Sequence, residues 1–234
     1  MAAVLRLTSK ETICMSTITI RPFLAAKLLT FAALTLGGCH LTGIRGNGDI
    51  VTENRPVEEF TSVDAEGAFD IEWVPGAPSC TIRTDENLLR HVEASVNGKK
   101  LQLGWHGQLH PTHGMKVKLS SSSMTAARLT GAVRLSATRL SGKGFYLEGT
   151  GATRVTVDGT VNELLATMSG ASRLDAESLQ VKTAELSISG AGKAEVSASE
   201  ALKVAISGAG KVTYNGNPSV EKHVSGAGTI RKRD

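Results

Sequence analysis

A small hydroxyl residue followed by Gly and Ala recurs six times in the last half of this chain. The runs are Thr130-Gly131-Ala132, Thr150-Gly151-Ala152, Ser169-Gly170-Ala171, Ser189-Gly190-Ala191, Ser207-Gly208-Ala209 and Ser225-Gly226-Ala227. Their glycines stand 20, 19, 20, 18 and 18 residues apart. A fixed period near 19 predicts coils stacked along one axis, because each repeat can bury its apolar face only against its neighbours. Residues at one phase of the period then line up as a column on the surface.

The segment after each Gly-Ala alternates in polarity, as in Thr153-Arg154-Val155-Thr156-Val157 and Ser172-Arg173-Leu174-Asp175-Ala176. Such alternation predicts strands with one face inward and one in water. Leu135, Val155, Leu174, Ala194, Val212 and Ile230 are expected to form one internal column. A second apolar group falls half a coil later, at Leu164, Leu186-Ser187-Ile188, Val204-Ala205-Ile206 and Val224. Each coil is therefore expected to hold at least two short strands joined at the Ser-Gly-Ala corner. Gly supplies a positive φ for the sharp bend, Ala is expected to fill a tight space, and Ser or Thr to bond nearby backbone. A chain climbing by one parallel strand layer per period is a right-handed parallel β-helix, a β-solenoid of about 19 residues per coil. An antiparallel sandwich of regularly spaced hairpins is the ordinary alternative, and it gives no reason to repeat one corner six times.

The first half is less regular. Gly46-Asn47-Gly48-Asp49-Ile50-Val51 and Glu66-Gly67-Ala68-Phe69-Asp70-Ile71 read as degenerate forms of the same corner and strand. Asp85-Glu86-Asn87-Leu88-Leu89-Arg90-His91-Val92 reads as a short helix with Asp85 as its N-cap. Val96-Asn97-Gly98-Lys99-Lys100-Leu101 carries an Asn-Gly turn signal. A broader, sheet-like layer capping the N-terminal end of the solenoid is expected here.

In order, Val57-Glu58-Glu59-Phe60, the Gly67 corner, the Asp85 phrase and the serial Ser-Gly-Ala-Gly repeats resemble the putative autotransporter adhesin head (GIN) domain family. The resemblance runs from about Gly46 to Ile230, and the run Ser120-Ser121-Ser122-Ser123 departs from the proline-containing strand end usual in relatives. It implies a β-helical, exported bacterial protein and brings no catalytic residues.

The N-terminus reads as an export signal. Arg21 and Lys27 precede an apolar stretch from Leu28 to Leu36, closed by Leu36-Gly37-Gly38-Cys39. A basic region, a short apolar region and small residues before a cut describe a signal peptide over residues 1–38, too short for a permanent span. Translation from Met15 gives it a more usual length. The closing tetrapeptide resembles a bacterial lipobox, which makes Cys39 the lipidated residue, residues 39–45 a tether and 46–232 the folded domain. An ordinary signal with a chance Cys is the alternative. His40 after the Cys, in place of an Asp, favours outer-membrane delivery, with the body in the periplasm or at the cell surface.

Removing that leader takes Arg6, Lys10, Arg21, Lys27 and Glu11 out of the charge balance, leaving 22 basic and 21 acidic residues. Nothing in that balance favours nucleic acid. With Cys14 in the leader and Cys39 lipidated, Cys80 stands alone, so no disulfide framework is expected and a small buried hydrophobe is its plain reading.

Three groups could carry function. Arg134, Arg154, Arg173, Lys193 and Lys211 share the phase just after the corner, so they should form an outward ladder spanning roughly 19 Å. Such a row could run along an anionic polysaccharide, or it could be a solvated face that blunts aggregation; Asp175 and Glu195 would partly neutralise it. His106, His110 and His113 offer imidazoles for Zn²⁺ or Cu²⁺, but Gly107 and Pro111 oppose a helix that would align them, and a loop without metal is the expected state. Asp64, Asp70 and Glu72 could supply paired carboxylates, though short coils leave no walls for a substrate cleft. No nucleophile elbow, P-loop or dinucleotide fingerprint is present, and no cofactor is implied. The reading is a non-catalytic envelope lipoprotein with a binding or adhesion surface, anchored to a membrane by its lipid and facing a polysaccharide or an envelope protein. A polysaccharide-active lyase or hydrolase is the alternative, and self-association through the last coil is a third, opposed by the charged Arg231-Lys232-Arg233-Asp234.

Overall fold

A computed structural model describes residues 43–233; the signal segment and Cys39 lie outside the described residues. After β1 (Ile44–Arg45) and β2 (Ile50–Arg55), strands β3 (Ser62–Gly67) and β4 (Asp70–Pro75) form the first coil about Gly67. The chain then folds beneath that coil through β5 (Ser79–Asp85), α1 (Glu86–Leu89), β6 (Val92–Asn97), β7 (Lys100–Trp105), β8 (Leu109–His110) and β9 (Lys116–Ser121). It returns on top as β10 (Ala126–Gly131) and winds upward through β11 (Arg134–Gly151), β12 (Arg154–Gly170), β13 (Arg173–Gly190) and β14 (Lys193–Gly208). The last layers are β15 (Lys211–Asn215), β16 (Ser219–Gly226) and β17 (Thr229–Lys232).

The result is a parallel β-solenoid with two long sides. On one, β4 lies between β9 and β11, and the order continues through β12, β13, β14, β15 and β17. On the other, β3 lies between β7 and β10, and the order continues through β11 to β14 and then β16. Strands β11 to β14 each wrap both sides, so the expected pair of strands per coil is one long strand bent at a register shift, between Ala137 and Leu140 in β11. Strand pairing is interrupted at the Gly-Ala corner and again at such shifts in each coil.

That corner is built on backbone. Gly67, Gly131, Gly151, Gly170, Gly190, Gly208 and Gly226 are register partners in succession. Each has φ between +89° and +132°. A Cβ on Gly151 would stand 2.6 Å from the Gly131 carbonyl oxygen, and one on Gly170 2.6 Å from that of Gly151. The same oxygens accept the next layer's Ala N–H, as Ala152 to Gly131 and Ala171 to Gly151, both at 2.9 Å. The corner alanines are exposed, contrary to the tight space expected for them. The inward residue is the one after Ala, where Val133, Thr153, Ser172, Gly192 and Gly210 succeed one another. Three of these positions pair a glycine with a larger residue across the corner: a Cβ on Gly149 would meet Thr153 Oγ1 at 2.7 Å, one on Gly192 the Ile188 Cγ2 at 2.8 Å and one on Gly210 the Ile206 Cγ2 at 3.0 Å.

The predicted column is in register, from Val117 through Ile71, Leu135, Val155, Leu174, Ala194 and Val212 to Ile230. All but Ile230 are buried. Large side chains crowd the base, where Trp73, Phe60 and Phe69 are buried; Trp73 Nε1 donates to Ser121 Oγ at 2.9 Å. The base is the expected sheet-like cap, made by antiparallel pairs β2–β5, β5–β9 and β6–β7. The Gly98 turn joins β6 to β7 as its sequence predicts.

At the base one expectation fails and one holds in position only. Gly48 does not open a solenoid corner, since β2 runs antiparallel to β5 and stacks on no repeat. Asp85 is the N-cap residue of α1, as expected, but its side chain makes no cap bond, and the helix ends at Leu89, short of Val92. The carboxylate instead accepts Gly48 N–H at 2.8 Å, Thr112 N–H at 2.9 Å and the Thr112 hydroxyl at 2.7 Å. Asn87 completes the latch, accepting from Asn47 N–H at 3.0 Å and donating to Arg45 O at 2.7 Å. The phrase that reads as a helix start is thus the tie that holds the entering segment against the base.

Candidate functional site

The ladder forms because a strand residue repeats its orientation in every layer. Arg134 pairs with Arg154, Arg154 with Arg173, Arg173 with Lys193 and Lys193 with Lys211, each directly above the last. Below Arg134 the column continues with Asp70 and Lys116, and above Lys211 with Thr229. Adjacent like charges about 5 Å apart repel by about 1 kcal/mol in water, so a bare row of this length invites counter-charges.

The structure supplies them at three of the five cations. Arg134 lies 3.6 Å from Asp70. Toward the top, Glu195 meets Lys193 at 2.5 Å, Arg173 at 3.5 Å and Arg233 at 3.3 Å. The hydrogen bond from Lys193 is the first cause that holds the Glu195 carboxyl below its usual range, against a burial that pushes the other way. Arg233 also pairs with Glu177. Among the described residues Arg154 and Lys211 have no carboxylate within 4 Å. The neutralising role of Glu195 is readable from the repeat, whereas Arg233 reaches it from outside the repeat. Asp175 occupies the same phase one layer below Glu195.

The histidines do not converge. His106 bonds Glu93 at 2.7 Å, and His113 Nδ1 lies 2.9 Å from the Thr112 hydroxyl. His110 belongs to β8 and packs beside Gly43. Among the described residues no group of three His, Cys, Asp or Glu side chains is placed to hold a metal. Of the acids, Asp70 and Glu72 share the outward face of β4, as expected, while Asp64 stands apart on β3 across the Gly67 corner. Each faces a cation on a neighbouring strand, Arg134 at 3.6 Å, Lys118 at 3.6 Å and Lys100 at 3.9 Å respectively. Cys80 is buried and free, and burial pushes its thiol up to about 11.

A family model described as "Putative auto-transporter adhesin, head GIN domain" matches residues 59–218. Among solved structures the chain is similar to a putative adhesin from Bacteroides fragilis, 20% identical at a TM-score of 0.69, covering 82% of this chain and 100% of that one. It is also similar to a putative lipid binding protein from Parabacteroides distasonis (22% identical, TM-score 0.49, covering 82% and 99%). A putative adhesin from Parabacteroides merdae is 19% identical at a TM-score of 0.49, with coverage of 82% and 99%. The first of these shows the solenoid fold. No curated protein matches the chain.

Proposed function

The chain belongs to the family of putative auto-transporter adhesin head GIN domains, and from that premise we propose a non-catalytic, lipid-anchored envelope protein whose solenoid side holds an anionic polymer. One observation carries the reading: five cations repeat at the strand spacing along one side, and carboxylates meet only Arg134, Arg173 and Lys193 among them. An acidic polysaccharide laid along the column would meet Arg154 and Lys211 first, since these cations have no carboxylate to give up. Cys39 supplies the membrane tether through its lipid, and His40 directs the protein to the outer membrane.

Retention on immobilised polygalacturonate tests the polymer. Replacing Arg134, Arg154 and Lys211 together by Gln should weaken binding about tenfold at low salt, and added salt should erase the difference. Unchanged retention would remove the polyanion. The anchor is tested separately: Cys39→Ala should abolish incorporation of labelled fatty acid and release the protein from the membrane fraction.

A further inference from the structure

The other long side bears a different surface. There Lys100, Ser62, Ala126, Tyr146 and Leu165 are successive register partners across β7, β3, β10, β11 and β12. Ser62 and Ala126 are short, so between Lys100 and Tyr146 the sheet sinks into a trough of about 350 Å³. Three strand steps make this interval about 14 Å. Tyr146 is 46% exposed. Its hydroxyl lies 3.5 Å from the place a Cβ on Gly144 would take, and Gly144 is buried although it shares the outward phase. The ring therefore lies down along its own strand over a glycine floor and turns a face outward.

The rim is polar and balanced. Arg128 meets Glu148 at 2.9 Å and Lys100 meets Asp64 at 3.9 Å. Donors and acceptors are both available, and a charged ligand would have to break an ion pair to find a partner. A polyhydroxylated ring suits such a rim, and its polarised C–H groups suit the negative face of a phenol. We propose that this trough binds a neutral saccharide, with one pyranose stacked on Tyr146 and the hydroxyls of the adjoining sugar units bonded to Glu148, Arg128 and Asp64 across the strands. The site lies on the side away from the cation ladder and does not depend on it.

Titration of the full chain with cellotetraose, maltotetraose and mannotetraose, followed by saturation-transfer NMR and calorimetry, tests this. At least one should bind. Tyr146→Ala should weaken that binding about tenfold and Tyr146→Phe should retain it. Ala126→Arg, which fills the floor and leaves the ring in place, should abolish it. Arg154→Gln with Lys211→Gln should leave it unchanged, which separates this site from the polyanion surface. Failure of all three sugars to bind the native chain would overturn the proposal. So would binding undiminished in Tyr146→Ala, or in Ala126→Arg.

Discussion

At each corner a missing side chain decides whether the next layer can approach. Gly170→Ala forces a Cβ to 2.6 Å from the Gly151 oxygen at a φ of +89°. Left-handed backbone and a displaced layer together should cost about 2–4 kcal/mol, read from urea unfolding. Gly142 has a φ of +126° but nothing within 4 Å of its Cβ position. Gly142→Ala should therefore cost only the backbone part, about 1–2 kcal/mol. The buried Asp85 sets another residue-scale limit. Burial alone would raise its carboxyl, but hydrogen bonds from Thr112 and Gly48 outweigh this and hold it below the usual range. A depressed native pKa contributes stability above the unfolded value, and that stability is lost as pH falls through the native one. Asp85→Asn should destabilise the protein at pH 7 by about 3 kcal/mol, because an amide cannot accept from all three donors. It should also flatten the acid limb of the stability curve. Cys80, raised to about 11, should resist thiol reagents at pH 8 until the chain unfolds, with modification located by mass spectrometry.

The elements differ in how far they could be read in advance. From β11 to β15 the period states both the strand and its layer, so the ladder and the Leu135–Ile230 column follow from counting residues. Within β1 to β9 chain order and spatial order part company. Strand β3 sits between β7 and β10 only because residues 79–121 fold beneath the first coil before the chain climbs. The Tyr146 trough depends on that pairing, and no local pattern announces it. Asp85 is legible as a helix start but not as a latch, for a related reason: its side chain finds its partners 37 and 27 positions away. At this scale the charge pattern gives one more expectation. Glu195→Gln should strip the upper ladder of its counter-charge and move elution from polygalacturonate to higher salt. Its stability cost should be about 1 kcal/mol, since its partners are half-exposed.

At the largest scale residues 43–233 form a base with a stack upon it, and the stack obeys nearest-neighbour rules. Excising residues 171–190 joins Gly170 to Ala191 and removes one layer while keeping the corner phase. The shortened chain should retain β-type circular dichroism and a cooperative, less stable unfolding transition, whereas excising ten residues should abolish both. Because six successive corners, Gly131 to Gly226, would drive a side chain into the backbone of the layer below, the pitch of the rod is set there by backbone contact. The cationic edge is therefore graduated like a ruler, at about 4.8 Å per mark. A polymer whose charges recur at an incommensurate interval falls out of step with it within a few units, so the rod selects partners by length of repeat as well as by sign.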